Sequence, residues 1–322
     1  MQFLENPLRI KITGRCNRDC SFCHEEGGMD GIDDLAYTEQ LGYIINTLHD
    51  NLGIDSIAFT GGEPLFDTNL DDIISQISMS TKICKFSLTT NGTISKDYEY
   101  WLRLYNLGLY KVNISMPDIM STDDLPNNDC INDVFAIQSK TISILNKIGI
   151  ETKINIVVFN DVLFTKNTLA KLLYFRDTLN SELVLLPNLN SPKDFNYSQK
   201  VINTVRNDMR LRKVSEKRRV GTSNAIEKYC DADDEENGNV IFIKSTKMQD
   251  GNPYRLDSLC GQCSKRTPCQ EGFYGIRLEQ RDDNYYIRLC IHKSSSDVLM
   301  KFQDFMESNV YKEIKTLWEI KS

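Results

Sequence analysis

The sequence predicts an α/β fold, a partial (β/α)6 TIM-like barrel in which a parallel sheet curves toward closure but stops short of eight strands. Three observations carry this. From residue 8 to about residue 186, short apolar runs alternate with longer segments of helical period. The runs read as apolar rather than alternating, as parallel strands covered on both faces do. Segments rich in Cys, Gly or Asn also come at the ends of the first three runs, where β/α barrels keep their chemistry.

The expected strands are residues 8–13, 56–60, 83–89, 110–115, 152–158 and 183–186. The first intervening helix puts Leu41, Ile44, Ile45, Leu48 and Leu52 on one face, with Thr38 as N-cap and Gly53 just past its end. Residues 131–148 repeat the pattern and stop at Gly149. After Pro187 the composition changes, so residues 1–190 are read as the barrel and 191–322 as a second region. Residues 188–197 are polar and loop-like, 206–219 strongly basic and 231–236 acidic; both charge runs read as solvated surface. At the end, Val298, Phe302, Met306, Val310, Ile314 and Leu317 fall at helical spacing and predict one helix docked on the core.

Length and composition narrow the class. The chain has 322 residues, 40% hydrophobic and 26% charged, as a soluble globular protein does. No run approaches a membrane span and the N-terminus has no signal-peptide pattern, which predicts a cytoplasmic protein with reduced thiols. Ten cysteines in that setting argue for metal or cluster ligation. A net charge of −7 gives no reason to expect stable nucleic-acid binding, although a small anion needs only a local basic pocket.

The stretch that organises the rest is Cys16-Asn17-Arg18-Asp19-Cys20-Ser21-Phe22-Cys23, directly after the first strand. Three thiolates on so tight a loop can hold a [4Fe-4S] cube and leave one iron free. A structural zinc site with His24 as fourth ligand, or cysteines that merely pack, are the alternatives. Thr60-Gly61-Gly62-Glu63-Pro64 follows strand two, and Thr89-Thr90-Asn91-Gly92 comes at the end of strand three. Adjacent glycines let backbone approach a ligand closely, and the Glu63 carboxylate can receive an ammonium group. Read alone, each would be an ordinary turn.

A second group, Cys260, Cys263, Cys269 and Cys290, suits another cluster, with zinc as the alternative. His292 is a weaker fifth candidate, and the ligand count stays open between three and four. Cys84, Cys130 and Cys230 are isolated in sequence, and Cys84 is expected in the core.

With these motifs together, the sequence resembles the radical SAM superfamily. The resemblance implies that Cys16, Cys20 and Cys23 hold a [4Fe-4S] cluster whose free iron binds S-adenosylmethionine (SAM). Gly61, Gly62 and Glu63 would grip the methionine ammonium, and Phe22 would lie beside the adenine. Reductive cleavage would yield a 5'-deoxyadenosyl radical that abstracts hydrogen from the substrate, leading to cyclisation or rearrangement. An external reductant such as flavodoxin or ferredoxin is implied.

Within the superfamily, residues 8–13, 106–115 and 153–158 are similar to the GTP cyclases of molybdenum-cofactor biosynthesis, MoaA and its paralogues. Ser115 matches that family's SAM-contacting serine, and Arg9, Thr89 and Lys153 match positions that contact GTP. Ala58 stands where the family has a substrate arginine, and Leu186 about where it has a methionine. The Cys-x2-Cys-x-Arg-x-Arg motif becomes Cys260-Gly261-Gln262-Cys263-Ser264-Lys265-Arg266-Thr267, which leaves Lys265 and Arg266 as substrate-side cations. The expectation is a small anionic, nucleotide-like substrate rather than strictly GTP. The Cys-x5-Cys step instead resembles peptide-modifying radical SAM enzymes, so modification of a ribosomally made peptide is the second reading. A non-catalytic cluster- or zinc-binding protein is the third.

Overall fold

A computed structural model describes residues 2–4, 6–23, 33–66, 68–116, 133–159, 176–232, 240–293 and 296–319. The strands are β1 (Gln2–Leu4), β2 (Leu8–Lys11), β3 (Ile57–Thr60), β4 (Phe86–Thr90), β5 (Leu109–Ser115), β6 (Glu151–Val158) and β7 (Glu182–Pro187). They are followed by β8 (Leu211–Arg219), β9 (Ala225–Asp231), β10 (Val240–Ser245), β11 (Arg277–Arg281), β12 (Asn284–Arg288) and β13 (Leu299–Lys301). All six expected strands are present as β2 to β7, paired in parallel in sequence order. Between them lie α1 (Glu39–Leu52), α2 (Leu70–Ser80), α3 (Tyr98–Asn106) and α4 (Asp133–Ile148). Among the described residues no helix is long and apolar enough to cross a membrane.

Local chemistry sets the helix ends. The Thr38 hydroxyl accepts from the Leu41 N–H at the start of α1, and Gly53 ends it at φ 65°. Asp97 caps α3 in the same way through Tyr100 N–H. The α1 residues Leu41, Ile44, Ile45 and Leu48 are fully buried.

The C-terminal strands extend this sheet on both flanks. Its order is β1-β8-β9-β10-β7-β6-β5-β4-β3-β2-β11-β12-β13, and it is not closed. β10 joins β7 in parallel, β11 joins β2 in parallel, and the remaining C-terminal strands add antiparallel to these.

Residues 188–197 are not all loop, because the Ser191 hydroxyl accepts from Asp194 N–H and starts helix α5 (Pro192–Asp208), and three further expectations need correction. The central strands alternate rather than running apolar: along β6, Thr152, Ile154, Ile156 and Val158 are buried while Lys153, Asn155 and Val157 are half-buried. β5 does likewise, with Val112 and Ile114 buried and Lys111, Asn113 and Ser115 half-buried. The reason is that only one face of the sheet is dry; the other faces a cavity, so period-2 patterning applies. Second, residues 298–320 are not one helix. β13 leads into α6 (Phe302–Glu307), and the chain breaks at Ser308 before α7 (Asn309–Glu319). There Ser308 Oγ accepts from Tyr311 N–H at 3.0 Å, as an N-cap does. Third, Cys84 is exposed just before β4 rather than buried in a strand.

Candidate active site

Three loops at the C-terminal ends of β2, β3 and β4 are fastened to each other, mostly backbone on backbone. Gly62 N–H donates to Thr13 O at 2.8 Å and Glu63 N–H to Arg15 O at 2.8 Å. A Cβ on Gly62 would stand 2.0 Å from Arg15 O, and one on Gly61, at φ 135°, 2.5 Å from Thr13 O. The two glycines therefore serve first to let the second loop lie against the chain leading into the cysteines. Glu63 then reaches the third loop, accepting from Thr90 Oγ1 at 2.6 Å, Asn91 N–H at 2.6 Å and Leu65 N–H at 3.0 Å.

The expectation that the Glu63 carboxylate receives a ligand's ammonium is thus not how the structure uses it. The side chain is fully buried and clamps three loops; backbone of Gly61 and Gly62, not this carboxylate, lines the cavity. Burial pushes the Glu63 carboxyl above its ordinary range, against the pull of its three donors.

Above the clamp, Cys16, Cys20 and Cys23 all line the same cavity. Cys23 N–H closes a turn onto Cys20 O at 2.8 Å. Cys16 Sγ receives Arg18 N–H at 3.4 Å and Asn91 Nδ2 at 3.9 Å. Phe22 also lines the cavity, its ring stacked at 5.1 Å on Phe159. Three thiols on one cavity, Cys23 exposed and Cys16 and Cys20 half-buried, beside the Gly61-Gly62 backbone, suit a cubane held by three ligands. His24, the fourth ligand of the zinc alternative, lies outside the described residues.

The cavity measures 1240 Å³ and occupies the inner face of the sheet. Inward positions fall in register across strands, as in Arg277↔Arg9↔Ala58↔Ser87↔Lys111 and Thr89↔Asn113↔Lys153↔Glu182. Among the described residues its lining carries ten cations, Arg9, Arg18, Lys85, Lys111, Lys153, Lys217, Arg219, Lys228, Lys244 and Arg277. Against them stand four carboxylates, Asp55, Glu151, Glu182 and Glu271. A chain of net charge −7 thus encloses a strongly positive cavity, which favours an anionic guest. Burial pulls Arg219 down to about 10, helped by the nearby Arg9 charge, and burial with the Lys153 ammonium pulls Lys111 below its usual value.

The structure brings Arg9, Thr89, Ser115 and Lys153 together on this wall, beside Ala58 and Leu186. Lys153 Nζ is held by Glu182 at 2.5 Å and Glu151 at 3.4 Å. Lys265 and Arg266 fall elsewhere. They sit at the second cysteine group, where Lys265 Nζ donates to His292 O at 2.8 Å and Arg266 Nη1 to Cys260 O at 3.2 Å. Their charges brace that loop instead of replacing the missing arginines. Beyond the cations of the matched segments, Lys217, Arg219, Lys228, Lys244 and Arg277 face the cavity from segments without a motif. Lys217 and Arg219 end the basic run expected at the solvated surface; residues 211–219 of it form strand β8, whose Ser215, Lys217 and Arg219 line the cavity.

Cys260, Cys263, Cys269 and Cys290 line one small pocket of their own, with His292 at its edge. Gly272 N–H donates to Cys269 Sγ and His292 N–H to Cys290 Sγ, each at 3.3 Å. Burial pushes the Cys260 thiol up to about 11, with the other three sulfurs adding to it, and burial raises Cys290. None of the four lines the large cavity; Glu271, Tyr274 and Ile291 do at that side. Among the described residues no three His, Cys, Asp or Glu side chains already converge as for a single metal ion.

A buried ion network ties β2 to β11 and β12. Glu279, fully buried, takes Lys11 Nζ at 3.1 Å, Arg281 Nε at 2.6 Å and Arg288 through Nε at 2.9 Å and Nη2 at 3.1 Å. Arg288 Nη1 also donates to Lys293 O at 3.0 Å, just past Cys290.

A sequence model of the radical SAM superfamily matches residues 10–166. A probable GTP 3',8-cyclase from Methanococcus maripaludis is 38% identical over 109 residues, 34% of this chain and 35% of that protein. A GTP 3',8-cyclase from Staphylococcus aureus is 31% identical over 179 residues, 53% of this chain and 50% of that protein. The matches thus span about a third to a half of these relatives' lengths. Among solved structures, Streptococcus suis SuiB bound to S-adenosylmethionine is similar over 68% of this chain and 49% of its own, at 17% identity and TM-score 0.43. A methylornithine synthase is similar over 63% and 62%, at 14% identity and TM-score 0.43.

Proposed function

The chain belongs to the radical SAM superfamily and is MoaA-like, and from that premise we propose that it is an enzyme acting on a small anionic, nucleotide-like substrate in the cavity beneath Cys16, Cys20 and Cys23. The observation that carries the reading is the joining of that cysteine loop, the Gly61-Gly62 backbone and a basic wall around one cavity. Bound there, a [4Fe-4S] cluster and SAM supply reductive carbon–sulfur cleavage and, from it, hydrogen-atom abstraction.

The chain's own residues do the rest. Cys16, Cys20 and Cys23 hold the cluster. Gly61 and Gly62 present backbone to the amino-acid end of SAM, Ser115 stands on the same wall, and Phe22 with Phe159 forms an apolar face for its adenine. Glu63 acts one step back, by keeping the three loops in register. Arg9, Thr89 and Lys153 face the substrate, with Lys153 oriented by Glu151 and Glu182.

Residues 191–322 serve as an auxiliary-cluster region in this reading. Four thiols in one pocket, two of them taking backbone N–H bonds, favour a second [4Fe-4S] cluster held by all four. Because none of these cysteines lines the cavity, that cluster stands behind Glu271 and Ile291, where it conducts electrons or stiffens the fold instead of binding substrate. Electrons come from an external reductant of the flavodoxin or ferredoxin kind, and we place the enzyme in the cytoplasm.

Iron analysis and electron paramagnetic resonance on anaerobically reconstituted protein test this. The account expects about eight irons per chain, and about four after Cys16, Cys20 and Cys23 are changed to alanine. It expects SAM to alter the resonance of the parent but not of that variant. Loss of all iron from the variant would show that the cysteine groups are not separate sites.

A further inference from the structure

We propose that Asn91 is a positioning residue whose side-chain amide donates to the Cys16 sulfur and makes the first cluster easier to reduce; this rests on reading Cys16, Cys20 and Cys23 as that cluster's ligands. Asn91 directly follows β4 and lines the cavity beside Cys16. Its Nδ2 stands 3.9 Å from Cys16 Sγ, which also receives the Arg18 N–H at 3.4 Å. The Arg18 donor belongs to the cysteine loop itself, whereas Asn91 reaches the sulfur from 75 residues further along the chain.

A closed ring of hydrogen bonds fixes the orientation of that amide. Asn91 Nδ2 donates to Asn17 Oδ1 at 2.8 Å, Asn17 Nδ2 to Thr93 Oγ1 at 2.8 Å, and Thr93 Oγ1 to Asn91 Oδ1 at 2.7 Å. The ring alone would close in either sense if all its members turned over. Thr93 N–H decides between them, because it donates to Asn91 Oδ1 at 2.9 Å and, as backbone, cannot turn. With the amide reversed, Asn91 Nδ2 would meet that N–H, donor against donor. In the sense observed, each bond polarises the next, and one Asn91 N–H is left over. That one is directed at Cys16 Sγ.

The backbone of Asn91 is held as firmly. Its N–H donates to Glu63 Oε2 at 2.6 Å, and its carbonyl accepts from Gln138 Nε2 on α4 at 2.7 Å. Gln138 is itself 3% exposed, so this support is buried. An N–H aimed at a ligating sulfur draws electron density from it and offsets the negative charge that reduction adds, which is how hydrogen bonds set cluster potentials. A side chain needed only to join the two loops would do so through Asn17 and Thr93, with no donor toward the sulfur.

Redox titration with dithionite, followed by electron paramagnetic resonance on the full, anaerobically reconstituted protein, tests this. The first cluster's signal is the one missing when Cys16, Cys20 and Cys23 are alanine. N91A removes the donor, and should lower the ratio of reduced to oxidised first cluster at a fixed potential about tenfold. For one electron that is a fall in midpoint of about 59 mV. N91D keeps the shape and the Thr93 bonds but sets an oxygen against the sulfur, and should lower the ratio further. T93V opens the ring with Asn91 in place; it should give a smaller fall in the same direction, and serves alone if neither Asn91 variant takes up iron. The midpoint of the second cluster should not move in any of the three. A first-cluster ratio within about twofold of the parent in every variant that holds iron, a rise, or an equal fall at the second cluster would overturn the role of Asn91 alone. Absence of the first-cluster signal from the parent would overturn it together with the reading of the three cysteines as ligands.

Discussion

Replacing Glu279 by glutamine should destabilise the chain by about 3 kcal/mol at neutral pH. The Glu279 side chain is fully buried, with Lys11, Arg281 and Arg288 all within 3.1 Å of its oxygens. Burial alone would raise the carboxyl. The Arg288 hydrogen bonds and the Lys11 charge outweigh it and hold the group at about 2 against an ordinary 4.5. By linkage that difference corresponds to about 3 kcal/mol, present in full above the ordinary value and lost as pH falls from there toward 2. Removing one member of a buried ion pair costs about 3–5 kcal/mol by a separate route, so the two estimates agree. Trp101 and Trp318 report unfolding, and the urea midpoint of E279Q should fall by about 1 M with the slope unchanged. The gap between parent and variant should close as pH drops through that window. Equal midpoints at neutral pH, or a gap that ignores pH, would refute the reasoning.

Other consequences follow from the same geometry. Gly62→Ala places a methyl 2.0 Å from a backbone oxygen, and should lower stability by at least about 2 kcal/mol and abolish SAM binding in calorimetry. Thr90→Val removes a donor from the buried Glu63 carboxylate, at a cost of about 1–3 kcal/mol. Because Glu63 is already raised by burial, that cost should grow as pH rises through its titration, which urea midpoints at several pH values will show. Arg288→Lys gives up the fork that joins Glu279 to the Lys293 carbonyl, and should release iron from the second cysteine group before the first under a chelator.

Much of the fold was legible because strand and helix periods separate cleanly, and Thr38, Gly53 and Gly149 mark helix ends by their own chemistry. The cysteine loop, the glycine pair and Thr90-Asn91 could be placed at one edge from chain order alone. What escaped was the inner face. Lys111-Val112-Asn113-Ile114-Ser115 alternates plainly, yet such a run reads as core when both faces of the sheet are assumed dry. Lys217, Arg219, Lys244, Tyr274 and Arg277 carry no motif; only the curvature that brings β10 toward β11 puts them in one cavity. Glu63 was legible as important, but its work as a clamp depends on donors 27 and 28 residues away.

The central claim is that the three-cysteine loop and its basic cavity form a working radical SAM site. Deoxyadenosine released from SAM by the anaerobically reconstituted, reduced protein tests it most directly, measured for the parent and for the variant with Cys16, Cys20 and Cys23 changed to alanine. The account predicts release by the parent, none by the variant, and a rise when a phosphorylated nucleoside such as GTP is a substrate or close to one. No release by a parent that holds both clusters would contradict it.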